Sequence, residues 1–117
     1  MLFYLIAGHF FADFPLQTDA IAACKCRKSM HPAAKGVPWV YWLTAHCIVH
    51  GAIVGIVLRM YGVPDHIWTA LAIAEFVIHW FIDWAKCEKK FNIHVDQGFH
   101  VICKVLWWLL IVTGVFA

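Results

Sequence analysis

The sequence predicts an all-α polytopic membrane protein, a four-transmembrane-helix bundle forming one domain over residues 1–117. Three observations predict it. The chain is 63% hydrophobic and only 14% charged, where soluble domains average about 25% charged. Its mean hydropathy is +0.75, which leaves too few polar residues to cover a soluble surface. Four apolar stretches, about 2–23, 37–58, 67–85 and 95–117, use nearly the whole chain. Each is near the ~20 residues that cross a hydrocarbon core.

The first stretch, Leu2 to Ala23, has no basic n-region and no small-residue cleavage site, so it reads as retained rather than as a signal peptide. Pro15 predicts a break within it, with a second short helix over Leu16 to Ala23. The second, Val37 to Leu58, carries Gly51 and Gly55 four apart. That pair reads first as close packing between helices of one chain, and second as a homodimer face. The third and fourth, Ile67 to Ala85 and Val95 to Ala117, complete the bundle. Backbone amides in lipid must be satisfied within their own element, so all four stretches are read as helices.

Lys25, Arg27, Lys28 and Lys35 lie between the first two stretches, and Lys86, Lys89 and Lys90 between the last two. In an up-down bundle both basic connections fall on one side, which the positive-inside rule makes cytoplasmic. The reading is a multi-pass protein of a bacterial inner membrane with both termini outside. Trp39, Trp42, Trp68 and Trp84 sit near span ends, where an amphipathic ring favours the headgroup region. Trp80, Trp107 and Trp108 read as packing or lipid-facing residues. The formal charge is +2 and no basic face alternates with aromatics, so nucleic acid is not an expected partner. The five cysteines show no disulfide framework, and free thiols are expected on a reducing side.

The functional signal is one repeated spacing. His9 and Asp13, His46 and His50, His79 and Asp83, and Asp96 and His100 are each four residues apart. That spacing stacks two side chains on one helix face. Chance places on the order of one or two such pairs in a chain with this many His and Asp residues. Here each predicted span has one. A carboxylate at the centre of a span costs roughly 2.5 to 3.5 kcal/mol on insertion scales, so these groups need partners.

Five imidazoles and three carboxylates from four facing helices form a candidate first shell for two divalent ions. Zinc suits the donors best, with manganese or iron as alternatives. Asp13 and Asp96 are the candidate catalytic bases, and Gln17, Lys86 and Gln97 the candidate groups for orienting ligands or substrate. Lys86 or Lys104 is a candidate for an anionic head group, although snorkelling is the simpler reading of Lys86. Glu75, four before His79, reads as a packing residue before an outer-shell one. His31, His66 and His94 fall in connections and read as solvated. A proton relay is the sharpest alternative without metal. Haem does not call for aspartates beside histidines, and the Glu-x-x-His spacing of ferritin-like sites is absent.

The runs His9-Phe10-Phe11-Ala12-Asp13-Phe14-Pro15-Leu16-Gln17, His46-Cys47-Ile48-Val49-His50, His79-Trp80-Phe81-Ile82-Asp83-Trp84-Ala85-Lys86 and Asp96-Gln97-Gly98-Phe99-His100 carry a resemblance. Together they resemble a bacterial and phage membrane family catalogued as domain of unknown function 3307, over essentially the whole chain. The resemblance implies a small polytopic membrane protein and assigns no activity. In pattern alone, the chain is also similar to inner-membrane metal-dependent hydrolases under DNA-damage control, which implies hydrolysis by analogy. The expected function is a membrane-embedded metal-dependent hydrolase acting on a lipid or phosphoester. The alternatives are a divalent-metal binding or transport protein, and a metal-stapled bundle that binds another membrane protein.

Overall fold

A computed structural model describes residues 1–117 as helices without strands. They are α1 (Leu2–Asp13), α2 (Asp19–Cys24), α3 (Trp39–Met60), α4 (Asp65–Cys87) and α5 (Ile93–Val112), with one 3-10 turn at Pro32–Ala34. Three of them, α3, α4 and α5, are long and apolar enough to cross a membrane. The first predicted span is not one of these. At 12 residues, α1 is only about 18 Å long at 1.5 Å per residue, against a hydrocarbon core of about 30 Å. The chain leaves the helix at Phe14, ahead of Pro15, and α2 begins only at Asp19, capped by the Thr18 hydroxyl. Pro15 therefore does what its geometry dictates, and the apolar residues beyond it form a separate short helix.

Helices α3 and α4 form an antiparallel hairpin through Tyr61–Pro64, and α1 packs on α3 and α5 while α4 packs on α5. The two glycines explain how closely the hairpin closes. A Cβ on Gly51 would stand 2.8 Å from the Ala72 carbonyl oxygen and 3.1 Å from Phe76 Cβ. Gly55 faces Trp68 and Ala72 side chains at 3.2–3.4 Å. The pair is thus used within one chain. Gly51→Ala is expected to destabilise the hairpin by about 1–3 kcal/mol, because backbone must move. Gly55→Ala meets only side chains and costs less. Thermal denaturation in detergent checks the order, and equal midpoints would remove this account of Gly51.

The interior is divided along its length. Towards the start of α1 and the end of α5 it is apolar, built from Leu5, Val54, Leu58, Ile67, Leu71 and Trp107. Towards the other end it is polar. The exterior is the reverse of a soluble protein's, with Phe3 73% and Ile56 59% exposed while His100 is 0% and Asp83 1% exposed. An outside this apolar and an inside this polar fit a lipid solvent.

Both basic connections meet at the polar end. Arg27 holds Glu88 there with two hydrogen bonds, at 3.1 and 3.0 Å, and this guanidinium keeps the Glu88 carboxyl below its ordinary range. Beside that pair Cys26 and Cys87 are disulfide-bonded, which corrects the expectation of free thiols for these two. The reason is tertiary: α2 packs on α3, and the turn that follows it reaches the end of α4, where the Cα atoms of Cys26 and Cys87 lie 5.1 Å apart. Cys24, Cys47 and Cys103 are free and buried.

Candidate metal centre

Local signals set each donor in place. The break at Phe14 leaves Asp13 on the last turn of α1, with His9 one turn back on the same face. Asn92 caps α5 by accepting from Val95 N at 3.0 Å, which puts Asp96 in the first turn of that helix. A carboxylate is favoured there by the helix dipole. His46 and His50 enter from α3, His79 and Asp83 from α4. All eight predicted residues are buried, the most exposed being Asp13 at 7%.

Asp13 Oδ1 is the focus. It lies 3.3 Å from His46 Nε2, 3.0 Å from His50 Nε2 and 4.0 Å from His79 Nε2. Donors about 2.0–2.1 Å from a tetrahedral ion stand about 3.3 Å apart. These distances are close to that spacing. His46 and His50 come within hydrogen-bond range of the carboxylate without the alignment of a hydrogen bond. All four atoms are buried and have no hydrogen-bond partner. Each such orphan costs about 1–3 kcal/mol, and a single cation among the four would relieve them together.

A second set adjoins the first. Asp13, Asp96 and His100 also bring one donor each within 4.8 Å of one another, as do His9, His79 and His100. Asp83 is less free, because its Oδ2 accepts from Lys25 Nζ at 2.6 Å and its Oδ1 lies 3.1 Å from His100 Nε2. The imidazoles of His50, His79 and His100 stack at 3.6 and 3.9 Å between centroids, which fixes their ring planes.

The predicted accessory residues divide. Gln97 bridges the two halves of the cluster: its amide donates to Asp13 Oδ2 at 2.7 Å and to Asp96 Oδ2 at 3.2 Å, while its oxygen accepts from His9 Nε2 at 3.0 Å. Lys86 stands 3.7 Å from Asp96 at the rim, its side chain 30% exposed. Gln17 hydrogen-bonds only the Asp13 backbone carbonyl and none of the donor side chains. Lys104 cannot reach a head group, which corrects that expectation, because it is buried against Glu75 at 2.6 Å. His66 and His94 are exposed, while His31 accepts from Ala33 N and starts the 3-10 turn.

Three residues were undervalued by sequence. Lys25 looked like a loop charge but is 3% exposed and paired with Asp83. Glu75 looked like packing but holds Lys104, Trp107 and His79. Trp107 donates its indole N–H to Glu75 at 2.7 Å rather than merely filling space. The only local signal was spacing: Glu75 precedes His79 by four, and Lys104 follows His100 by four.

Residues 1–116 match the family described as a protein of unknown function, DUF3307. The chain belongs to that family. No curated protein and no solved structure matches it. In this chain the cluster sets four buried carboxylates (Asp13, Glu75, Asp83, Asp96) against two buried ammonium groups (Lys25, Lys104). Two negative charges are left over when the histidines are neutral.

Proposed function

We propose that this DUF3307 protein holds a divalent metal ion, zinc by the chemistry of its donors, among Asp13, His46, His50 and His79, and uses it for hydrolysis at the membrane surface. The observation that carries the reading is the convergence of four orphaned, buried donor atoms on one point. One divalent charge also offsets the two surplus negative charges of the core. The weaker set Asp13, Asp96 and His100 is the place for a second ion, and with both ions the surplus turns positive. An anionic substrate suits that state, which favours a phosphoester or an anionic lipid over a neutral one.

With a coordination position left open beyond these donors, a divalent ion held there would supply a water whose pKa falls towards neutrality. The chain's own residues do the rest. Asp96, beside the rim and next to Lys86, is placed to take a proton, and Lys86 is placed to hold a negative group. Gln97 fixes Asp13 and Asp96 relative to each other. The basic end faces the cytoplasm by its lysines and arginines; on that side the Cys26–Cys87 bond would be of the transient, redox-sensing kind. The apolar half of the interior argues against a path across the bilayer, and so against transport.

A metal staple without catalysis is the second reading, and one observation favours it. The five main surface clefts are lined by none of the eight residues, and a closed four-donor set is the mark of a structural site. Metal content by mass spectrometry on detergent-purified protein tests the shared premise. One to two equivalents are expected in the wild type and none in His46→Ala/His79→Ala. Metal-loaded protein is then assayed on vesicles of anionic phospholipid. Chelator-sensitive release of product supports the hydrolase; bound metal with no release on any anionic lipid or phosphoester supports the staple. A wild type without metal overturns both.

A further inference from the structure

Glu75 belongs to none of the donor sets, yet it touches one of the donors. It lies on α4 one turn deeper than His79 and is 1% exposed. Its Oε1 accepts from Lys104 Nζ at 2.6 Å and faces His79 Nδ1 at 3.4 Å. Its Oε2 accepts from Trp107 Nε1 at 2.7 Å. A carboxylate that receives an ammonium and an indole N–H is ionised and can only accept. The ring nitrogen turned towards it must therefore carry the hydrogen. In the neutral ring the lone pair of His79 is then on Nε2, the atom that faces Asp13 Oδ1 and Asp83 Oδ1.

We infer that Glu75 is the positioning residue of the metal centre: it fixes His79 as the Nδ1–H tautomer and aims Nε2 into the Asp13, His46 and His50 set. Lys104 and Trp107, both from α5, hold the carboxylate in place. The inference rests on the proposed metal site. An ion pair that only stabilised the bundle would need Lys104 and Trp107 but no imidazole. Metal-binding histidines ordinarily donate their other nitrogen to a carboxylate or carbonyl, and losing that partner weakens metal binding 10- to 100-fold.

Two readouts test it on the full chain in detergent. Long-range proton–nitrogen NMR of histidine-labelled, metal-free protein reads the tautomer of His79, assigned against His79→Gln. The Nδ1–H form is expected in the wild type and is lost in Glu75→Ala. Zinc titration reads the consequence: a 10- to 100-fold weaker Kd in Glu75→Ala, with most of the affinity kept in Glu75→Gln, whose amide oxygen still accepts. Should Glu75→Ala not fold, Glu75→Leu/Lys104→Met removes the ion pair in an apolar form and is read the same way. An Nε2–H tautomer in the wild type overturns the inference, as does a folded Glu75→Ala or Glu75→Leu/Lys104→Met protein that binds zinc within twofold of wild type. A wild type with the expected tautomer that takes up no zinc overturns the metal reading instead, and keeps the tautomer assignment.

Discussion

Asp13→Asn is expected to strip the protein of its metal while leaving the metal-free fold intact. Asp13 is the one anion among the four converging donors and also belongs to the adjoining set with Asp96 and His100. Asparagine keeps the shape but supplies no charge, and leaves three imidazoles as the only donors of the first set. Removing one partner from a buried charged constellation costs about 3–5 kcal/mol, so zinc affinity should fall on the order of 10³-fold. The metal-free protein responds in the opposite sense. Its core has more buried carboxylates than buried lysines, so losing one lessens the repulsion, and the thermal midpoint should hold or rise. Zinc at 100 times its Kd stabilises a binding protein by about 2.7 kcal/mol; the wild type should show that gain and Asp13→Asn should not. Metal retained in the variant would remove Asp13 from the centre of the site. A metal-free midpoint that collapses would make Asp13 a structural residue instead.

The buried cluster of histidines and aspartates was legible in sequence because its signal is local. An i, i+4 pair shares a helix face whatever the helix packs against, so four such pairs announced four polar faces that a lipid environment must turn inward. What periodicity does not contain is which faces meet and which connections fold back. Lys25 sits among Arg27 and Lys28 in a connection and has the sequence signature of a surface charge, yet the return of the chain to α4 just after α2 buries it. The same return joins Cys26 to Cys87, a contact with a sequence separation of 61 that no local pattern encodes. Length misled for a different reason. The apolar composition runs through Phe14 and Leu16 to Ala23, but composition does not register that a proline ends a helix, so α1 falls short of a full span. Glu75 was ambiguous because one carboxylate four residues from one histidine is unremarkable until Lys104 and Trp107 arrive from another helix.

Lys25→Met is expected to weaken the metal-free protein and to strengthen its hold on metal. Lys25 Nζ is 2.6 Å from Asp83 Oδ2, with both side chains all but excluded from solvent. Breaking a buried pair from one side leaves an uncompensated charge and costs about 3–5 kcal/mol, far more than losing the solvent-screened Arg27–Glu88 pair at the surface. The carboxylate so released is not in an apolar pocket, however. Asp83 Oδ2 is 3.4 Å from His46 Nε2, and its Oδ1 is 3.6 Å from His79 Nε2 and 3.1 Å from His100 Nε2. In the wild type the lysine is a tethered cation standing where a metal could share Asp83. Without it, a divalent ion inherits one more anionic donor and two units of unbalanced charge become three. The midpoint of Lys25→Met should therefore fall in chelator and recover in zinc, by more than the wild type gains. Lys25→Met/Asp83→Leu removes both charges, so its metal-free midpoint should lie above that of Lys25→Met alone, with the zinc-dependent recovery reduced. A Lys25→Met protein that zinc does not rescue would show that Asp83 serves only to bury the lysine, and would take it out of the metal centre.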